Sequence, residues 1–185
     1  LKEFIASLDI PVIVGGVSDY TTAMHMMRTG AVGVIVGAGD GINGGEALGI
    51  QPALATAIAD VAAARRDYLD ETGGRYVHII ADGEIYTSGN VVVAIACGAD
   101  AVVLGSPLAT AKEAAGKGYF WPSAAGHPRF PRGRVEPVSE VDPEQRPSLE
   151  TLLYGPSSDP SGTQNFAGGL RRAVAKCGFQ DLKCF

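Results

Sequence analysis

The chain lacks several features that would commit it to common functions. It has three cysteines among 185 residues, at Cys97, Cys177 and Cys184. Their spacing matches no metal-ligand pattern, and an odd set this small is not a disulfide framework. A reducing, cytoplasmic compartment is the expectation that follows. Positive charge is also short: 15 lysines and arginines stand against 20 aspartates and glutamates, a net charge of −5. Nucleic-acid binding calls for a basic stripe, so nucleic acid is not the expected partner. No apolar run approaches the ~20 residues that span a bilayer, and no signal peptide opens the chain. A membrane is therefore not expected either.

Glycine, by contrast, is plentiful, with 25 residues where the usual share is about 7%. Much of the excess falls at the ends of short apolar runs. Hydrophobic residues make up 46% of the chain, enough for a sizeable core.

The run Ile79-Ile80-Ala81-Asp82-Gly83 and the later run Val102-Val103-Leu104-Gly105-Ser106 read as buried strands that stop abruptly on small or polar residues. A helical stretch lies between them, making a β-α-β unit. Both strand ends place glycine backbone on one edge, with a carboxylate at Asp82 and a hydroxyl at Ser106. In parallel α/β folds that edge is where ligands bind. An internal repeat supports the reading. Gly30-Ala31 leads through Val34-Ile35-Val36 to Gly37, and 68 residues later Gly98-Ala99 leads through Val102-Val103-Leu104 to Gly105. Upstream, Val12-Ile13-Val14-Gly15-Gly16 mirrors the run that ends in Gly83. A repeated βαβ unit predicts a parallel sheet with covering helices.

Four strands are predicted, over 11–15, 32–37, 76–81 and 101–105. A complete (β/α)8 barrel needs about 250 residues, and the chain begins at Leu1. Half of such a barrel fits these facts, and a small doubly wound domain is the alternative. The division expected is a half barrel over 1–115 and, in the same domain, an irregular arm with a closing helix over 116–185.

The helices read as amphipathic covers. Over 57–72, Ala57, Ile58, Val61, Ala62, Tyr68 and Leu69 recur at helical spacing, with Asp60, Arg65, Arg66, Asp67 and Asp70 facing away. Gly73-Gly74 stops that helix. Ser18-Asp19 offers an N-cap for 21–28, where Met24, Met26 and Met27 read as core. Cys97 reads as a buried structural thiol. Trp121-Pro122, His127-Pro128, Phe130-Pro131 and Glu136-Pro137 mark an irregular arm rather than regular structure; its Arg129, Arg132 and Arg134 read as a solvated surface, with a phosphate-gripping loop as the alternative. A closing helix is expected over 165–177.

Several motifs together resemble the second half of the IMP dehydrogenase and GMP reductase family. They are Ala81-Asp82-Gly83, Ser88-Gly89, Cys97-Gly98-Ala99-Asp100-Ala101-Val102, Leu104-Gly105-Ser106-Pro107-Leu108-Ala109 and the closing Gly168-Gly169-Leu170-Arg171-Arg172-Ala173. The helix Ala63-Ala64-Arg65-Arg66-Asp67-Tyr68-Leu69, the segment Gly118-Tyr119-Phe120-Trp121-Pro122 and Arg146-Pro147-Ser148-Leu149-Glu150 favour the short, IMP dehydrogenase-related branch without the regulatory insert. The resemblance maps the chain to strands five to eight of the family's (β/α)8 TIM barrel. It implies an oxidoreductase of purine nucleotide metabolism that converts IMP to XMP with NAD, working as a homo-oligomer.

By position, the resemblance assigns Asp82 to the ribose hydroxyls of IMP. It assigns Gly83, Gly105 and the Ser106 hydroxyl to the 5′-phosphate, with Gly39 and Gly41 in the adjoining loop. For Ser106 a helix-capping role is the competing reading. Glu84 stands where the family usually has glycine. The loop Gly39-Asp40-Gly41-Ile42-Asn43-Gly44-Gly45-Glu46 departs further from the pattern Gly-x-Gly-Ser-x-Cys-Thr-Thr. In the family that cysteine attacks C2 of the purine before hydride passes to NAD and the adduct is hydrolysed. Here Gly44 occupies its place, and the catalytic residue is unassigned. Without a thiolate this mechanism has no nucleophile, and Glu46 could serve only as a base. Two alternatives stand beside the oxidoreductase reading. One is a catalytically inactive nucleotide- or phosphate-binding module; the other is a GMP reductase-type or flavin-dependent barrel oxidoreductase.

Overall fold

A computed structural model describes residues 1–37, 52–120 and 136–185. The chain divides into two compact units. Of the described residues, 1–37, 52–83 and 93–103 form the first, and 84–92, 104–120 and 136–185 form the second.

The first unit is built on four parallel strands in the order β1-β2-β3-β4: β1 (Ile13–Val17), β2 (Gly33–Val36), β3 (His78–Ala81) and β4 (Ala101–Val102). All four differ in extent from the predicted strands; for β1 and β4 pairing explains the difference. β1 is shifted toward Val17 because a register shift between Gly15 and Val17 lets Val17 pair with Val36. β4 ends at Val102; the Val103 N–H still donates to the Ala81 carbonyl at 2.8 Å. The chain then turns out of the ladder.

Among its described residues three helices lie wholly in this unit: α1 (Lys2–Ala6), α2 (Tyr20–Met27) and α3 (Leu54–Thr72). The Asp19 carboxylate caps α2 by accepting from the Thr22 N–H at 2.9 Å. Gly73 ends α3 in the left-handed conformation, with φ 69°, which costs glycine nothing. α2 and α3 pack on each other and on the strands. Met24, Met27, Ala57, Ile58, Val61 and Ala62 are buried there, as are Val34, Val36, Ile79 and Ala81. Each large side chain fully buried in this way contributes about 1.5–3 kcal/mol. Met26 and Leu69 are only half-buried. The other face of the sheet differs: Ile35 and Ile80 are half-buried and Ile13 is 50% exposed.

Arg65 corrects the helical-periodicity reading. It does not face away; its side chain is 16% exposed and forms an ion pair with Asp100 at 2.7 Å. The same guanidinium donates to the Gly98 carbonyl at 3.1 Å and to the Tyr76 hydroxyl, lying 4.9 Å from that ring's centroid. Asp100 also accepts from the Tyr76 hydroxyl at 2.5 Å and from the Ile79 N–H at 2.8 Å. Asp100 thereby ties the start of β4 to α3 and β3. Burial, and then donation to Asp100, push the Tyr76 hydroxyl above its ordinary value of 10.0. A raised value favours the neutral phenol, so this contribution to stability is complete below pH 10 and is lost as pH rises through the folded-state value. Cys97, expected to be buried, is partly exposed.

The second unit contains α5 (Ser106–Ala109), a short antiparallel pair of β5 (Tyr119–Phe120) and β6 (Glu136–Pro137), a 3-10 turn (Pro143–Gln145), α6 (Leu149–Tyr154) and α7 (Phe166–Lys176). Helix α4 (Ser88–Ala96) begins in this unit. Glu136-Pro137, expected to be irregular, instead forms β6, because it pairs with Tyr119–Phe120 and the following Val138 N–H donates to the Gly118 carbonyl at 2.9 Å. α6 and α7 pack together with Leu152, Phe166 and Val174 buried.

Replacing Asp100 with alanine removes several charge-assisted contacts and leaves Arg65 without its ion pair. A loss of about 2–3 kcal/mol is expected, read as a fall in Tm of about 4–12 °C at about 2–4 °C per kcal/mol. The exposed Asp60→Ala should change stability by no more than about 0.5 kcal/mol. Equal thermal shifts for the two variants would refute the role given to Asp100.

Candidate functional site

The carboxyl ends of β2 and β3 are pressed closely together. The Asp82 N–H donates to the Val36 carbonyl at 2.8 Å, carrying the ladder one residue past β3, and the Gly37 N–H donates to the Val17 carbonyl at 2.9 Å. Gly37 has φ 104°, and a Cβ there would collide with the Asp82 carbonyl oxygen. Glycine is required on both counts. Asp82 therefore stands at the carboxyl end of an inner strand, beside a neighbouring strand end that carries no side chain. Gly83 follows with φ 152°, another conformation that L side chains avoid. The Asp82 side chain is partly exposed.

In the second unit, Gly105 is the N-cap of α5 and makes no side-chain cap bond. Its carbonyl accepts from the Leu108 and Ala109 N–H groups at 3.1 and 3.3 Å. Ser106 is the first residue inside the helix, not its cap, so the capping reading of this serine does not hold. Pro107, buried, favours the helical start. Asp82 and Gly83 thus close β3 in the first unit, while Gly105 and Ser106 open α5 in the second. Gly39, Gly41 and Gly44 lie outside the described residues, as do Arg129, Arg132 and Arg134. Among the described residues no group of three His, Cys, Asp or Glu side chains is arranged to hold a metal ion.

The closing Gly168-Gly169 pair has a packing reason that sequence reasoning missed. A Cβ on Gly169 would strike the Ser88 side chain, and one on Gly168 would strike Asn165. Asn165 caps α7 by accepting from the Gly168 N–H at 2.9 Å. The Ser88 N–H in turn donates to the Gly162 carbonyl at 2.7 Å. The start of α4 is thereby seated on the start of α7. A pair of glycines at a helix start signals close approach, but nothing in one sequence names the partner.

Comparison with known proteins places this geometry. A family model described as the IMP dehydrogenase / GMP reductase domain matches residues 1–126. An uncharacterized oxidoreductase of Mycolicibacterium smegmatis is 61% identical over 188 residues, covering all of this chain and 49% of the relative. The inosine-5′-monophosphate dehydrogenase of Korarchaeum cryptofilum is 31% identical over 193 residues, covering 98% of this chain and 40% of the enzyme. The crystal structure of an IMP dehydrogenase/GMP reductase-like protein from Corynebacterium glutamicum superposes with a TM-score of 0.90 at 71% identity, covering 99% of this chain and 48% of that one. The molecule is thus an α/β protein with a parallel sheet, similar in fold to that structure. The chain belongs to the IMP dehydrogenase / GMP reductase family. It spans about half the length of the curated relatives it matches.

Substituting Gly169 with alanine forces a methyl group into Ser88 and should cost about 1–3 kcal/mol as overpacking. Gly89→Ala meets nothing closer than the Thr87 hydroxyl at 3.6 Å, so it should be neutral or slightly stabilising. Thermal unfolding of both variants checks this, and an unchanged Tm for Gly169→Ala would remove the packing account.

Proposed function

We propose that this chain is the nucleotide-holding half of a purine-nucleotide oxidoreductase whose four strands correspond to strands five to eight of a (β/α)8 barrel. Three facts support the half-barrel reading: the strand order is sequential, the chain spans half the length of its relatives, and one sheet face is left partly open. Parallel sheets are normally covered on both faces. The observation that carries the functional reading is Asp82 at the carboxyl end of β3, with Gly37 keeping the neighbouring strand end bare.

In this reading the substrate is IMP. The Asp82 carboxylate accepts the protons of the ribose hydroxyls, a charge-assisted contact. Backbone N–H groups of Gly83 and Gly105 and the Ser106 hydroxyl hold the 5′-phosphate, with Gly39 and Gly41 adjoining. NAD is proposed as the hydride acceptor of the whole protein. No residue of this chain is assigned to it. Strand edges left open in half a barrel favour assembly, and a homo-oligomer is proposed. The few cysteines favour the cytoplasm. No helix among the described residues is long and apolar enough to cross a membrane.

A second reading, a binding module without chemistry, is favoured by one fact: the loop from Gly39 to Gly49 contains no cysteine, and Gly44 takes the nucleophile's place.

Asp82→Ala should weaken IMP binding about tenfold or more by calorimetry, from the loss of a bond worth about 1.5–3 kcal/mol. Asp100→Ala should leave the affinity of the folded molecules unchanged. Equal effects would put the site elsewhere. A second outcome concerns turnover. The chain alone, and its Gly44→Cys variant, should produce no NADH absorbance from IMP and NAD. Clear turnover by the unmodified chain would overturn the assignment of Gly44 to the nucleophile's position.

A further inference from the structure

A cavity of about 440 Å³ opens in the second unit where α7 meets the loop that precedes it, with Ser88 of α4 in its wall. That volume lies within the range of small-molecule sites, about 300–1,000 Å³. None of its lining residues belongs to the candidate site at the end of β3. Four of them carry uncommitted hydrogen-bond donors. The Arg172 guanidinium, the Gln164 amide and the hydroxyls of Ser88 and Ser158 make no hydrogen bond or ion pair with other described residues. Asp159, the acid among the described lining residues, is in the opposite position. Its carboxylate accepts from the Ser161 N–H at 2.8 Å, the Ser161 hydroxyl at 2.5 Å and the Thr163 hydroxyl at 2.9 Å. The wall therefore offers free donors, one of them positively charged, while its carboxylate is engaged by its own loop. A matching ligand brings acceptors and negative charge.

We propose that this cavity is a second binding site, for a sugar phosphate. A phosphate group presents three strong acceptor oxygens, and the planar guanidinium grips such oxygens in pairs. A carboxylate presents only two oxygens to the same donors. Phosphate alone would leave most of the cavity unfilled. Sugar hydroxyls, which both donate and accept, match the remaining serine and amide groups. The inference does not depend on the reading of Asp82, and every residue it uses lies in the second unit.

The test is calorimetric titration of the intact protein carrying Asp82→Ala, so that the end of β3 does not contribute. Ribose 5-phosphate should bind more tightly than inorganic phosphate, and ribose should not bind. Adding Arg172→Gln should weaken ribose 5-phosphate about tenfold or more, as expected for loss of a charge-assisted bond. Gln164→Ala should weaken it about threefold. Arg171→Gln removes the same charge from the adjacent position of α7 but lines only the neighbouring cavity, so it should change nothing. Arg172 is exposed, and its replacement should leave Tm unaltered. Equal losses from Arg171→Gln and Arg172→Gln would reveal diffuse attraction to a basic helix and overturn the site. Affinity indifferent to Arg172→Gln, or no binding at all, would do the same. Inorganic phosphate bound as tightly as ribose 5-phosphate would overturn the sugar assignment. The Asp82 reading stands or falls separately, on IMP binding by the single variant.

Discussion

The contact between Gly37 and the Asp82 carbonyl is the constraint on which the candidate site depends. Two parallel strands can finish this close together only if one of them carries no side chain at its end. With the Asp82 N–H bonded to the Val36 carbonyl and its own carbonyl against Gly37, the backbone of Asp82 is fixed against β2. Its carboxylate is then carried at the strand end by a rigid element rather than by a loose loop. Binding groups placed in this way lose less conformational freedom when a ligand arrives.

The architecture was legible in the sequence because its signals are local. Short apolar runs ending on glycine marked four parallel strands, and the repeat from Gly30 to Gly37 and Gly98 to Gly105 marked their common topology. Asp19 and Gly73 announced helix ends through capping chemistry that involves only near neighbours. The extents of β1 and β4 were less legible, because pairing partners decide them. The register shift at Gly15 and Val17, for instance, exists only in relation to β2.

Arg65 shows most clearly what periodicity cannot supply. Its place in the helical repeat points it outward, yet it reaches Asp100, 35 residues along the chain. A charged residue at the margin of an apolar stripe goes to solvent unless an opposite charge waits nearby, and that partner is visible only once the strands are assembled. The candidate site divides in the same way. Asp82, Gly83, Gly105 and Ser106 were picked out as strand-end residues, and the structure sets each at an element boundary. The seating of Gly169 on Ser88 is a tertiary fact that no motif encodes.

The hydrogen bond from the Ile79 N–H to the Asp100 carboxylate also has a kinetic consequence. Most amides in a parallel ladder are shielded by a neighbouring strand, so they exchange with solvent hydrogen only when strands separate. The Ile79 amide is shielded by a side chain. It becomes available whenever Asp100 swings away, whether or not the sheet opens. Its exchange rate, compared with that of Asp82 at the other end of the same strand, therefore separates local release of the Arg65–Asp100 cluster from unzipping of the strands.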